Sequence, residues 1–400
     1  MTPGPKQQRL GGANVPVWDG YSLAERDRRW NAVRAGAAQR GFDCIFVPLG
    51  NGTDARYLTQ LRCSAMALPT DGRPPIVIAD RGSRNAWVPE PRLTGRDWAE
   101  LMAQALLDLG MERARIGVAG LLGGTVSHVR AIDGVVVHTA YDHVLHRLPN
   151  ATFEDATDVV GMVRYVKSDE EIESLKKATA IAEAGVDELV KQARPGLDAA
   201  VLYARVMGRL LRLGSEYYPL ALHVDDIDAT ETVRYTNPPA GRVLQPNTLI
   251  SSEVSAVWGI QVAQEDQPVL LGRVPDAWKP VIELQREVFQ AGLEKMTPGT
   301  TMGELIDFVN GFGAGRGLRT AILMHGRGGG DDGPLLTPRV SGQRVRSLRI
   351  ERGNAWVWKP TASSADGRIS FTWGGDVLVT ERGGEPLFKR SHGMVEAIGG

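Results

Sequence analysis

The sequence predicts two domains, an α/β domain followed by an α+β domain assembled from a repeated helix–strand unit. Three observations carry this. Between residues 23 and 120, helical patterns alternate with short continuous apolar runs, FDCIFVPL, IVIAD and RIGVAG, of the kind buried on both faces of a sheet. Residues 168–213 and 281–312 each read as helix, Pro-Gly break, helix, and strand-rich sequence follows each. The length of 400 residues allows two or three units, each with its own core.

In order, residues 1–20 read as a loose arm. Residues 23–39 read as a helix, with Trp30, Val33 and Ala37 on one stripe and Arg26, Arg29 and Arg34 off it, ended by Gly41. The FDCIFVPL strand buries Cys44 as an inert thiol. Glycines after RIGVAG lack the GxGxxG spacing of a dinucleotide loop. Composition changes near Thr157, which places a first folded domain at 21–156 and a second at 157–400. MVRYV (162–166) reads as a strand. A helix start follows, with Ser168 as N-cap and Glu171 completing a capping box, and Ile172, Leu175, Ala178, Ile181, Ala182 and Gly185 form its apolar face.

The second domain is organised around residues 249–272, two strands joined through residues 255–259. Glu253 and Gln264 lie eleven positions apart, one on each strand, and a hairpin can set two such side chains together on one face.

Charged residues make up 23% and the formal net charge is -1, so neither nucleic acid nor an anionic membrane is expected as partner. No apolar run has the length of a spanning helix or the form of a secretory signal. Two cysteines make neither a zinc motif nor a disulfide framework, so a cytoplasmic location is expected.

RYVKSDEEIESLKKA (164–178) resembles the opening helix of the aminopeptidase P, prolidase and creatinase family, which has the pita-bread fold. HGRGGGDDGP (325–334) is similar to that family's His-Gly-x-Gly segment, and GDVLVTERGGEPL (375–387) to its last strand. FDCIFVP followed by RYLT (56–59) resembles its N-terminal domain. The resemblance spans most of residues 23–390 and implies a creatinase-type α/β domain before a pita-bread domain with an internal αβ duplication.

Metal-dependent members of that family hold two divalent ions with two Asp, one His and two Glu. Carried over, those positions fall on Glu253, Gln264, His325, Lys359 and Gly374 or Gly375, with Asp376 nearby if the strand is shifted. Hard cations want oxygen and imidazole donors, and an ammonium offers only protons. The expected cofactor is therefore none, with a single weakly held divalent ion as the other possibility. The family's substrate-binding positions fall on Arg234, a clamp for a carboxylate or else a surface ion pair, and on Asp332, a substrate contact or else part of an Asp-Asp-Gly turn. His223 is a pocket contributor or a cross-strand partner, and His325 a proton shuttle or a structural histidine. Trp258, Trp356, Trp358 and Trp373 fall within a few residues of the ligand positions, as a cage for a cationic or planar substrate or as filling.

Three functions are open at this point. The first is a metal-independent hydrolase of a C–N bond (amide, amidine or guanidino) in a small polar substrate, as in creatinase and ectoine hydrolase-like members, with His325, Glu253 and Lys359 catalytic and Gln264 orienting substrate. The second is an Xaa-Pro aminopeptidase or dipeptidase with an altered metal site. The third is a non-catalytic protein binding a ligand or peptide in the same cleft. The resemblance also implies a homodimer.

Overall fold

A computed structural model describes residues 7–10, 13–49, 52–94, 97–121, 136–228, 241–339 and 342–397. The chain divides into two compact units: Gly20–Glu170 with Gly328–Pro334, and Met1–Asp19 with Glu171–Arg327 and Leu335–Gly400. The division falls at the start of the Asp169–Gln192 helix and not at 157. The reason is that MVRYV is not a strand. Its first four residues end the helix Thr157–Tyr165, whose Val159 packs on Gly36 of the Leu23–Gln39 helix.

The first unit is a mixed six-stranded sheet, in the order Arg92–Thr94, Ile76–Asp80, Ser64–Pro69, Cys44–Val47, Arg115–Val118, Thr152–Asp155. The three apolar runs seen in the sequence form three of these strands. Cys44 is fully buried there, and burial pushes its thiol up to about 12. Arg29 lies off the apolar stripe yet is buried. Glu25 accepts from it at 2.7 Å, and the rings of Tyr21 and Tyr57 lie 4.5 and 4.0 Å from its guanidinium carbon. Within this unit Asp332 is buried against Arg164 and Lys167, and Arg164 also donates to Asp54 at 2.6 Å.

In the second unit the repeat is visible in its hydrogen bonds. Helices Asp169–Gln192 and Ala199–Arg212 are separated by Gly196, and Lys279–Lys295 and Met302–Gly311 by Gly299, with φ of 84° and 95°. That left-handed conformation is what glycine supplies after each Pro. Gly196 N–H donates to Leu244 O and Gly299 N–H to Ile350 O, both at 2.8 Å. The bridges Asp198–Val243 and Thr301–Arg349 follow in the same register.

Each half then runs into strands. The first half's sheet pairs Thr248–Trp258 with Gln261–Asp266, Ala221–Asp226 and Val269–Leu270, and the last of these carries Val395–Glu396. The second half's sheet is ordered Leu335–Leu336, Met324–Gly326, Ala355–Trp358, Gly375–Thr380, Gly383–Pro386. One apolar core joins the first half, from Leu175, Ala178 and Ala182 on one helix and Leu202, Val206 and Leu210 on the next to Val254 and Ala256 on the strand. Among the described residues no helix is long and apolar enough to cross a membrane.

Candidate functional site

The Thr248–Trp258 and Gln261–Asp266 strands turn at Gly259 and Ile260, with φ of 60° and 73°. Two positive φ values in a two-residue loop match the twist of a tight hairpin. The register that follows sets Glu253 opposite Asp266 and Ser255 opposite Gln264. Glu253 and Gln264 thus share a face diagonally, and the direct partner of Glu253 is Asp266, which the sequence reading passed over. The other face carries Val254 and Ala256 into the helix-packed core. Polar and apolar residues alternate because the strand has one face toward each.

Lys359 follows the Ala355–Trp358 strand and reaches this face. Its Nζ lies 2.6 Å from Glu253 Oε1 and 3.3 Å from Asp266 Oδ2. The lysine and Asp266 side chains are 4% and 8% exposed, while that of Glu253 is 36% exposed and is the part open to solvent. Burial works to raise the Glu253 carboxyl, but the adjoining ammonium, with His325 and Arg327 nearby, outweighs it and holds the pKa below the ordinary value. Burial alone would lower the Lys359 pKa, and its two carboxylates raise it instead. For Asp266, burial dominates over the help from Lys359, Glu253 adds to it, and the carboxyl is pushed up to about 6.

A second tier surrounds this triad. Arg327 donates to Gln264 Oε1, and the Gln264 amide nitrogen lies 3.4 Å from Asp266 Oδ2. Asp376 accepts from Gln264 N–H at 3.1 Å and Thr179 Oγ1 at 3.0 Å, and burial pushes it up to about 7. Its Oδ1 has no hydrogen-bond partner among the described residues. Glu265, on the opposite face of its strand, is fully buried with Arg390, whose Nη2 donates to it at 2.6 Å, and burial holds its carboxyl well above the usual range. Asp376 is the carboxylate that the sequence offered beside the glycine positions, whereas Asp266, Arg327 and Arg390 were not singled out; the signal for Asp266 is the hairpin register, set by the turn at Gly259 and Ile260.

The structure brings Glu253, Gln264 and Lys359 together. His325 is buried, paired opposite Val357 with its Nδ1 3.2 Å from Gly326 O, and it shares that face of its sheet with Val357 and Asp376. His223 sits opposite Ser251, on the Glu253 face of its sheet, with Nε2 3.8 Å from Asp225. Asp332 spends both carboxylate oxygens on Arg164 and Lys167. Arg234 lies outside the described residues.

The four tryptophans form no cage around Lys359. Trp356 and Trp358 alternate with it along the strand and point to the other side, where Trp358 donates to Phe289 O at 3.0 Å and covers Gly292. Trp258 packs with the core on the face opposite Glu253, 5.6 Å from Lys177 Nζ. Trp373 belongs to a cluster with Phe289, Phe388 and His392, at centroid distances of 5.0, 5.4 and 4.6 Å.

The donor set does not fit a pair of divalent ions. An ammonium stands 2.6 Å from the one carboxylate that the carry-over retains, and Gln264 offers a neutral oxygen already engaged by Arg327. A Cβ on Gly374 would collide with the Trp358 carbonyl, and one on Gly375 with the Glu265 carboxylate. Among the described residues no group of three or more His, Cys, Asp or Glu side chains is arranged to hold a metal.

Residues 173–381, just over half of the chain, match metallopeptidase family M24. The chain belongs to that family. It is 25% identical over 316 residues to the uncharacterized hydrolase/peptidase y4tL of Sinorhizobium fredii, covering 73% of this chain and 77% of that one. A second protein of that organism, the uncharacterized hydrolase/peptidase y4tM, is 28% identical over 274 residues, covering 64% and 66%. The Xaa-Pro aminopeptidase of Thermotoga maritima superposes with a TM-score of 0.73 at 17% identity, over 92% of this chain and 99% of that one. The Pyrococcus horikoshii prolidase gives 0.72 at 14% identity, over 92% and 99%. The fold of these structures is therefore shared over 92% of the chain.

Proposed function

We propose that this M24 chain is a metal-independent hydrolase of a C–N bond in a small polar substrate. The observation that carries the reading is Lys359, held between Glu253 and Asp266, at a position that the resemblance assigns to a carboxylate ligand. The triad contains the parts of an acid–base hydrolysis. Glu253, kept ionised and partly open to solvent, takes a proton from water, with His325 beside it. The oxygen adds to the substrate carbon, and the Lys359 ammonium stabilises the negative charge that develops. Glu253 then returns the proton taken from water to the departing nitrogen as the C–N bond breaks, while Asp266, as a carboxylate, holds the nitrogen-bearing group. The buried charges also give this reading its energetic support, because such groups cost several kcal/mol unless paired or used.

A second reading has its own observation. Lys359 satisfies Glu253 and Asp266, and Arg327 satisfies Gln264, so the cluster is stable with no chemistry at all and suits a ligand-binding protein. One experiment separates the two. Purified protein is assayed for bound metal and for hydrolysis of amidines, amides and Xaa-Pro dipeptides, with and without chelator. Turnover unchanged by chelator supports the hydrolase. Two ions per chain with chelator-sensitive activity sinks it, and binding without turnover on any of these compounds gives the second reading. Both readings carry a homodimer in the cytoplasm, which sedimentation and cell fractionation test.

A further inference from the structure

A small cavity of about 110 Å³ opens beside the triad, within the same unit, lined among others by Asp266, Ser251, Thr372, Trp278 and Phe371. Lys359 and Gln264 both contact Oδ2 of Asp266, and no hydrogen bond among the described residues reaches Oδ1. Asp266 is 6% exposed as a residue and lines the cavity, so its Oδ1 is an accessible carboxylate oxygen with bonding capacity left. Among the described residues that line it, none is a Lys, Arg or His. Trp278 and Phe371, 6% and 1% exposed, supply aromatic surface, and Ser251 and Thr372 supply hydroxyls.

Glu253, Glu265 and Asp376, with Lys359, Arg327 and Arg390, complete the charged cluster, and of these groups and Asp266 only Asp266 lines the cavity. We propose that the cavity binds a compact organic cation, a protonated amine or amidine, through the Asp266 carboxylate and the aromatic surface of Trp278 and Phe371. The volume is a few times the roughly 30 Å³ of a water molecule, which suits a group of about four non-hydrogen atoms. The inference rests on the C–N reading in one respect: it makes this group the nitrogen-bearing end of that substrate.

The test uses three molecules of one shape and three charges. Acetamidinium, acetamide and acetate are titrated into the full chain by calorimetry at fixed ionic strength. Acetamidinium is expected to bind at least tenfold more tightly than the other two. Asp266→Asn is expected to abolish that preference. Should that variant misfold, Ser251→Leu, which fills the cavity and leaves the carboxylate in place, is expected to remove binding as well. Equal binding of the three probes, no binding of acetamidinium, or binding unaltered in both folded variants overturns the proposal. Acetamidinium binding without hydrolysis of any C–N compound leaves this site standing and removes the hydrolase reading. Chelator-insensitive hydrolysis of neutral amides without acetamidinium binding does the reverse.

Discussion

Lys359 carries most of what is unusual in this molecule. A lysine at 4% exposure survives as a cation only because two carboxylates lie within 2.6 and 3.3 Å. Removing it leaves Asp266 buried with the Gln264 amide and no cation beside it, a loss of about 3 kcal/mol for such a pair. Lys359→Met should therefore lower stability by that order at pH 8 in urea denaturation. At pH 5 the loss should be smaller, since Asp266, at about 6 even with the lysine present, takes up a proton instead. Equal losses at both pH values would show that Asp266 is not the group left stranded. Asp376 gives a second titration. Its ordinary value is 3.8 and its folded value about 7, so between those limits the folded chain keeps a proton that the unfolded chain has released. Folding stability accordingly falls as pH rises through that window. Asp376→Asn removes the titrating group, so its stability should decline less from pH 4 to 7. The expected difference is on the order of a few kcal/mol, from about 1.36 kcal/mol per unit. Parallel curves for the two proteins would mean that the carboxyl is not shifted.

At the scale of elements, the sequence was most legible where a pattern repeats. Apolar runs marked three strands of the first unit, and the two Pro-Gly breaks marked both helix pairs, ending within a residue or two of their observed bounds. MVRYV was misleading because its β-branched residues favour strands only in the absence of competing packing, and here they complete a helix that starts at Thr157. The site was less legible for a geometric reason. Which residue faces Glu253 depends on where the hairpin turns, and placing the turn at Gly259–Ile260 selects Asp266. The tryptophans near Lys359 were read by proximity along the chain, but adjacent strand residues point to opposite sides, so Trp356 and Trp358 became core. That core leaves a mark on the helix above it. Gly292 lies against the Trp358 indole so closely that an added Cβ would collide with the ring. Gly292→Ala should cost about 1–3 kcal/mol despite the better helix propensity of alanine. A melting temperature at or above that of the parent chain would show that Trp358 can move aside.

At the scale of the whole molecule, the second unit is a duplication whose halves have diverged in charge. Gly196, Asp198 and Ala199 make in the first half the contacts that Gly299, Thr301 and Met302 make in the second, with Arg242, Val243 and Leu244 matched by Leu348, Arg349 and Ile350. Carried forward, the 106-residue offset between Arg242 and Leu348 brings Glu253 onto Lys359. The central ion pair thus joins equivalent positions of the two halves, one anionic and one cationic. Two like charges there would call for a cation between them, and opposite charges close the centre directly. If the pair couples the halves, reversing it should largely preserve the coupling. Lys359→Glu alone sets a third carboxylate beside Glu253 and Asp266 and should be strongly destabilising. Adding Glu253→Lys restores the attraction but leaves the new carboxylate against Asp266, so recovery should be partial, and Asp266→Asn should complete it. Urea denaturation of the single and double variants gives the coupling energy, expected to exceed about 1 kcal/mol for contacting charges. A value near zero would mean that each half holds its own charge independently, and the equivalence of Glu253 and Lys359 would then be an accident of register.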